Sequence, residues 1–359
     1  MPRTQINLRV WTALQMGFLF AGLAEAEKLE WVKPSLASLP PARTDSSMTY
    51  DTDALSMVLF GGNIDNGATV YGDTWLFTQT GGWSQLSPAS SPSARSGAGF
   101  AYDPVTKTAV LFGGNPQNGV YLNDTWTWDG STWTQQFPPA SPAPRSFNSE
   151  QMAFDAATRT VVLFGGYSPV SFLGDTWVWD GTAKTWTEEF PATSPSARGT
   201  TLTYDAATKQ VVIFAGEDGG PSFLDDTWTW NEITWTQQFP ATSPPKRTNS
   251  SLAYDADIGD VVLFGGYNAV GGEALNDTWT WNGTTWSQVQ TPLTPAGRYG
   301  AAMEYDPAFK GLVLFGGYFT GGPWTNQTWL FLEARGGAGL RYPNDTSRLY
   351  TARPDRLTN

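Results

Sequence analysis

The chain has 359 residues and a net charge of −12, with 18 tryptophans, 38 glycines and only 15% charged side chains. It contains no His and no Cys, which excludes a Ser-His-Asp triad, a Cys nucleophile, a Cys/His zinc site, a haem histidine and any disulfide frame. The acidic balance argues against nucleic acid or anionic lipid as partner, since both need a basic surface, and no run of about 18 apolar residues is present to span a bilayer.

In chain order, Met1 to Arg9 carries two arginines and no acid, Val10 to Leu23 is largely apolar, and Ala24-Glu25-Ala26 is a small-x-small site. This is the layout of a secretory signal peptide over residues 1–26, and it predicts a secreted or periplasmic protein with no membrane insertion after signal removal. Leu29-Glu30-Trp31-Val32 then reads as an outer strand with no unit of its own, followed by a Pro-rich linker to Arg43.

From Arg43 the chain repeats six times. An arginine opens each unit (Arg43, Arg95, Arg145, Arg198, Arg247, Arg298), at spacings of 49 to 53 residues. An aromatic-Asp pair follows, then Leu-Phe-Gly-Gly at 59–62, 111–114, 163–166, 263–266 and 314–317, degenerate as Ile213-Phe214-Ala215-Gly216 in the fourth unit. After a loop of variable length comes Asp-Thr-Trp, replaced by Gln327-Thr328-Trp329 in the last unit, and five units add an outer Trp at 83, 133, 186, 235 and 286.

Each unit reads as four short strands: a small apolar one, a continuous apolar run such as Val161-Val162-Leu163-Phe164, an alternating Thr125-Trp126-Thr127-Trp128, and a short outer strand at Trp133. Asp-rich turns join the first two strands, and Asp129-Gly130 or Asn282-Gly283 joins the last two. Six four-stranded units of period about 50 predict an all-β, six-bladed β-propeller. The last unit stops at Trp329 without an outer Trp strand, so Trp31 is expected to complete it, the N-terminal strand closing the ring within a propeller spanning 27–332. Residues 333–359 hold five arginines without periodicity and read as a flexible basic tail.

The succession Arg, Tyr-Asp, Leu-Phe-Gly-Gly, Asn-Asp-Thr-Trp, Trp resembles the kelch repeat over about residues 29 to 332. The resemblance implies a propeller shared by adaptor domains, carbohydrate-binding proteins, plant specifier proteins and the copper enzyme galactose oxidase, and fold alone does not choose among them. Galactose oxidase chemistry needs a Tyr-Cys crosslink and His ligands, which this chain lacks.

Sixteen tryptophans fall on repeat positions and are read as packing, leaving Trp11 and Trp324 outside the pattern. The arginines are expected to pair with the repeated Asp, and Arg298 stands apart as a candidate ligand-binding residue because its unit has Gln327 instead. The units stop agreeing in the loops after the glycine pairs. There Tyr71, Tyr121, Tyr167, Phe172, Phe223, Tyr267, Tyr318 and Trp324 suggest an aromatic-rimmed mouth, with Glu217, Asp218 and Glu273 as acceptors. This predicts a non-catalytic binding module for a glycan or a protein surface, monomeric and without cofactor or metal. The alternative is a carboxylate-dependent glycan hydrolase or lyase at the channel mouth, with Glu304 first, then Asp45 and Glu150, as acids that depart from the repeat near the channel.

Overall fold

The computed structural model describes residues 28–334 apart from 117–119, 147–151, 221 and 270; the expected leader, Glu150 and the chain beyond Ala334 lie outside the described residues. The described chain is all β but for a short 3-10 turn at Asp65–Gly67. It forms six four-stranded antiparallel sheets. In the second blade, for example, the strands run outward in sequence order as Gly99–Asp103, Thr108–Phe112, Thr125–Trp128 and Trp133–Gln136. The inner strands contact one another in ring order, and the last, Ala302–Asp306, meets the first, Ser47–Asp51. The chain is therefore a closed six-bladed β-propeller.

The sixth blade is completed by the N-terminal strand Lys28–Val32, which pairs with Thr328–Ala334 so that Trp31 lies opposite Phe331. This is the closure expected from the sequence. The pairing extends to Glu333 and Ala334, two residues past the expected edge at 332, because Leu29 and Lys28 find partners there.

One contact, repeated six times, locks blade to blade. Each outer-strand indole donates its Nε1 proton to the threonine of Asp-Thr-Trp, or of Gln-Thr-Trp, in the preceding blade. The pairs are Trp83 to Thr328, Trp133 to Thr74, Trp186 to Thr125, Trp235 to Thr176, Trp286 to Thr227 and Trp31 to Thr278, all at 2.9–3.0 Å. The rings themselves are buried against Phe of Leu-Phe-Gly-Gly or its equivalent in that same neighbour, as in Phe60 with Trp133 at 5.1 Å between centroids. Six of the 18 tryptophans are thus one packing solution used once per blade.

The turns between first and second strands place a residue at positive φ in every blade, and only Gly259 of the six is a glycine; the others are Leu55, Lys107, Arg159, Lys209 and Lys310. The Asp of each aromatic-Asp pair stabilises the bend by accepting backbone N–H bonds, as Asp51 Oδ1 does from Asp53 and Ala54 at 2.9 and 2.8 Å.

The glycine pair is a matter of space. A Cβ on Gly61 would lie 2.3 Å from the carbonyl oxygen of Arg95 in the next blade, and Gly113, Gly165, Gly265 and Gly316 meet the corresponding arginine carbonyls in the same way. Where the fourth blade has Ala215, the residue is buried at φ 57, and the bond from its blade's arginine, Arg198 Nη1 to the Ala215 carbonyl, stretches to 3.4 Å against 2.8–3.1 Å at the five glycines. An L-residue in this region costs about 1 kcal/mol or more. Ala215→Gly is accordingly expected to raise the unfolding free energy by about 1 kcal/mol in urea titrations, whereas a destabilised Gly variant would mean that Ala215 is not strained.

Candidate functional site

The repeated arginines build the wall beneath the mouth. Five are bidentate to the Asp of their own blade, with shortest contacts of 2.6–2.7 Å in the pairs Arg43–Asp73, Arg95–Asp124, Arg145–Asp175, Arg198–Asp226 and Arg247–Asp277. The same carboxylate accepts the indole N–H of the tryptophan two residues on, as Asp124 does from Trp126 at 2.7 Å. Burial raises the pKa values of Asp73, Asp124, Asp175 and Asp277, but the arginine and indole hydrogen bonds outweigh it and hold these carboxyls below the usual range.

The sixth blade breaks this rule. Arg298 is buried and donates to the carbonyls of Ala296 and Gly316 and to Gln327 Oε1 at 3.0 Å, with the ring of Phe319 5.0 Å away. Gln327 accepts the indole bond of Trp329 as an aspartate would, but supplies no charge. Burial without a carboxylate lowers the Arg298 pKa to about 10.

Above this wall, the residue after each arginine bridges to the residue after each glycine pair. Thr44 joins Asn63, Ser96 joins Asn115, Ser146 joins Tyr167, Thr248 joins Tyr267 and Tyr299 joins Tyr318. In the fourth blade the inner strand runs on to pair Gly199 with Glu217. The loop after the glycines and the linker into the next blade meet here, since Gly62 N donates to Arg95 O and Arg95 N to Tyr71 O. Architecture is uniform up to these bridges. The side chains they present are not: both small and polar in the first two blades, one aromatic in the third and fifth (Tyr167 and Tyr267), and both aromatic in the sixth.

The aromatics form one arc. Phe223, Tyr267, Tyr299, Tyr318 and Trp324 follow one another with ring centroids 6.0, 5.2, 5.4 and 4.9 Å apart, crossing from the fourth blade to the sixth. Across the mouth Tyr167 packs on Phe172 at 4.3 Å. All of these rings are half-buried, with a face or edge left to solvent. Between the arc and the polar side lies a cavity of about 280 Å³ lined by Thr44, Asp45, Asn63, Asn66, Gly67, Ser96, Asn115, Tyr121, Ser146, Tyr167, Tyr299, Tyr318 and Trp324. A volume of this size holds one side chain or one sugar ring.

Among the described residues Asp45 is the carboxylate of this lining. Its backbone sits at φ 51 between the sixth blade and the second, donating from N to Gly300 O and accepting at its carbonyl from Gly97 N. Its carboxyl accepts Asn63 Nδ2 at 3.0 Å and Thr44 Oγ1 at 3.3 Å. Burial pushes the Asp45 pKa up to about 7, against the lowering effect of those two hydrogen bonds. Glu304, on the inner strand Ala302–Asp306, is likewise raised to about 7 by burial, partly offset by the N–H of Tyr305, and Asp255 at an inner-strand end is raised to about 7 by burial.

Native-state pKa values above the unfolded ones mean that these three groups contribute stability at low pH and lose it as pH rises through about 7. Asp73, Asp124, Asp175 and Asp277, held low by their arginines, act oppositely, and their contribution is lost only on acidification below about pH 4. The melting temperature is therefore expected to be a few degrees higher at about pH 5.5 than at about pH 8, and Asp45→Asn with Glu304→Gln should shrink that difference. A melting temperature that climbs to pH 8 would contradict these shifts.

Among the expected site residues, the cavity brings together Tyr121, Tyr167, Tyr318, Trp324 and Asp45. Phe172, Tyr267 and Phe223 buttress it through ring contacts. The others stand elsewhere. Tyr71 stacks on the Arg43 guanidinium at 4.1 Å, Arg298 is enclosed in the wall, and Glu304 lies in the channel wall rather than in the lining. Glu217 pairs at a strand end, Asp218 caps its own loop through Gly220 N, and Glu273 is exposed on the hairpin with Tyr267–Asn268. Tyr299, Asn63 and Asn115 line the mouth without having been singled out from the sequence. The signal was available in the column after the arginine, which reads Thr44, Ser96, Ser146, Gly199, Thr248 and then an aromatic, Tyr299.

Residues 56–236 match the family model described as the KLHDC2/KLHL20/DRC7 Kelch-repeats domain. An F-box/kelch-repeat protein of Arabidopsis thaliana is 32% identical over 212 residues, 54% of this chain and 42% of that protein. The tRNA wybutosine-synthesizing protein 4 of Aspergillus fumigatus is 37% identical over 100 residues and that of Emericella nidulans 36% over 104, each covering 26% of this chain and 9% and 10% of those proteins. The similarity therefore spans less than half the length of each of these relatives.

Proposed function

We propose that this chain, which belongs to the kelch-repeat family, is a non-catalytic binding module that engages a protein partner through the mouth bearing the post-glycine loops. The observation that carries the reading is the sudden loss of uniformity at the bridges. Arginine, aspartate, glycine and tryptophan positions below them are nearly the same in every blade, while the residues facing the cavity change from Thr44 and Asn63 on one side to Tyr299 and Tyr318 on the other. Packing demands the first pattern. A single asymmetric ligand fits the second, and half-buried tyrosines and a tryptophan around a cavity are the side chains that dominate protein interfaces.

A hydrolase at the mouth would need two carboxyls about 5–10 Å apart, and among the described residues the lining supplies one, Asp45. A glycan is the second ligand class, favoured by the open faces of Tyr318 and Trp324, on which a sugar ring can stack. The leader-like composition of residues 1–26 supports a location outside the cytoplasm in the same reading.

Affinity capture with the full chain tests it. Tyr299→Ala with Tyr318→Ala is expected to lose the captured protein by about tenfold or more in affinity, as truncating central aromatic anchors does. Lys107→Ala with Lys209→Ala, on the turns at the other ends of the inner strands, is expected to change nothing. Equal loss in both variants, or in neither, would reject the mouth as the binding surface.

A further inference from the structure

The mouth cavity has a chemistry of its own. It contains a carboxyl, Asp45, five aromatic residues and several amides and hydroxyls, and among the described residues no Lys or Arg lines it. Five of the arginines beneath are committed to aspartates and the sixth is enclosed, so no cation of the wall reaches into it.

Asp45 is held in place rather than free to turn away. Asn63 and Thr44 bond its carboxyl, its backbone is tied to Gly300 and Gly97, and a Cβ on Gly300 would fall 2.5 Å from its Oδ1. Tyr299 lies close enough for the two groups to interact electrostatically, and Tyr299 leads through Tyr318 to Trp324. On the polar side, Asn115 Oδ1 is buried without a hydrogen-bond partner among the described residues. A fixed carboxyl group that a bound cation would hold ionised, an unfilled acceptor and a wall of π faces are complementary to one kind of group, a cation bearing N–H donors.

Resting on the binding-module reading, we infer that the mouth cavity receives a Lys or Arg side chain of the partner protein, paired with Asp45 and enclosed by Tyr299, Tyr318 and Trp324. The net charge of −12 acts in the same direction by drawing basic surfaces toward the propeller. The ammonium or guanidinium satisfies the Asp45 carboxylate and gains cation–π contact with the rings, while its aliphatic stem fills the cavity.

The test is a random peptide library displayed on phage, panned on the full chain as wild type, as Asp45→Asn and as Tyr318→Ala with Trp324→Ala. Wild type is expected to select peptides with Lys or Arg at one fixed position. A synthetic copy of the best Arg-bearing sequence should lose about tenfold or more in affinity when that Arg becomes citrulline, or when that Lys becomes norleucine in a Lys-bearing one, and the enrichment should vanish with Asp45→Asn. The citrulline and norleucine comparisons use wild-type protein alone, so they stand whatever the variants do to folding. Peptides that need Tyr318 and Trp324 but show no preference for a cation, or prefer Asp or Glu, overturn the cation assignment and leave the mouth as a binding surface. Peptides indifferent to Tyr318 and Trp324, or no selected peptide at all, overturn both.

Discussion

Truncating Trp31 to alanine is expected to lower the unfolding free energy by about 3–5 kcal/mol, the range for a fully buried tryptophan. Trp31 is 1% exposed, its ring lies 4.9 Å from both Phe264 and Phe331, and its Nε1 donates to Thr278 at 3.0 Å. Removing it empties a large volume and strands a buried hydroxyl. Trp133→Ala removes the same contacts in the second blade, to Phe60 and Thr74, and its free-energy cost should be similar. The two variants should differ in a second property. Trp133 belongs to a strand joined to its neighbour by a short hairpin, whereas Lys28–Val32 is held to the sixth blade by pairing and packing alone. Losing Trp31 frees that strand and exposes the edge of Thr328–Ala334, an invitation to strand addition by another molecule. Urea titration with parallel light scattering should therefore show aggregation for Trp31→Ala at concentrations where Trp133→Ala stays dispersed. A Trp31→Ala protein within 1 kcal/mol of wild type would mean that the ring does not depend on its N-terminal strand.

The second large effect concerns the charged wall. Asp124→Ala is expected to cost about 3–5 kcal/mol, because it leaves the 1%-exposed Arg95 without its carboxylate and Trp126 without its acceptor. The sixth blade is a natural version of that loss, softened by Gln327. Gln327→Glu restores the missing charge beside Arg298 and is expected to add about 1–3 kcal/mol at neutral pH. The sign with pH follows from the paired aspartates: a carboxylate lowered by its arginine contributes above the unfolded pKa and is lost on acidification, so the gain should disappear below about pH 4. If Gln327→Glu destabilised the protein, the Arg298 site would not be an unfilled copy of the other five.

Most of the fold was legible because its causes are repeated. Six arginines, six Asp-containing turns and the Gly pairs each mark a spatial demand that recurs once per blade, and Trp31 stood out as an outer-strand tryptophan without a unit. The pairing of arginine with the later aspartate followed from the cost of buried charge. The mouth was harder, for a physical reason. Loops of unequal length have no period, so nothing in the sequence distinguishes Tyr318, which faces the cavity, from Tyr71, which covers Arg43, or from Glu273, which points to solvent. Tyr299 was hidden beside an arginine whose own role was structural. Asp45 was visible as a departure from the repeat, but its fixation by Asn63, Gly97 and Gly300 joins three blades' worth of sequence, and only the closed ring brings them together.

If the mouth, and no other surface, is where this propeller meets its partner, hydrogen–deuterium exchange of the full chain with and without the captured protein will show it. The expected result is added protection at Thr44–Asp45, Asn63, Tyr299–Gly300 and Tyr318–Trp324, with unchanged exchange at the Asp-capped turns such as Asp51–Leu55 and Asp103–Lys107. Protection concentrated at those turns or on the outer strands, with the mouth unaltered, would contradict it.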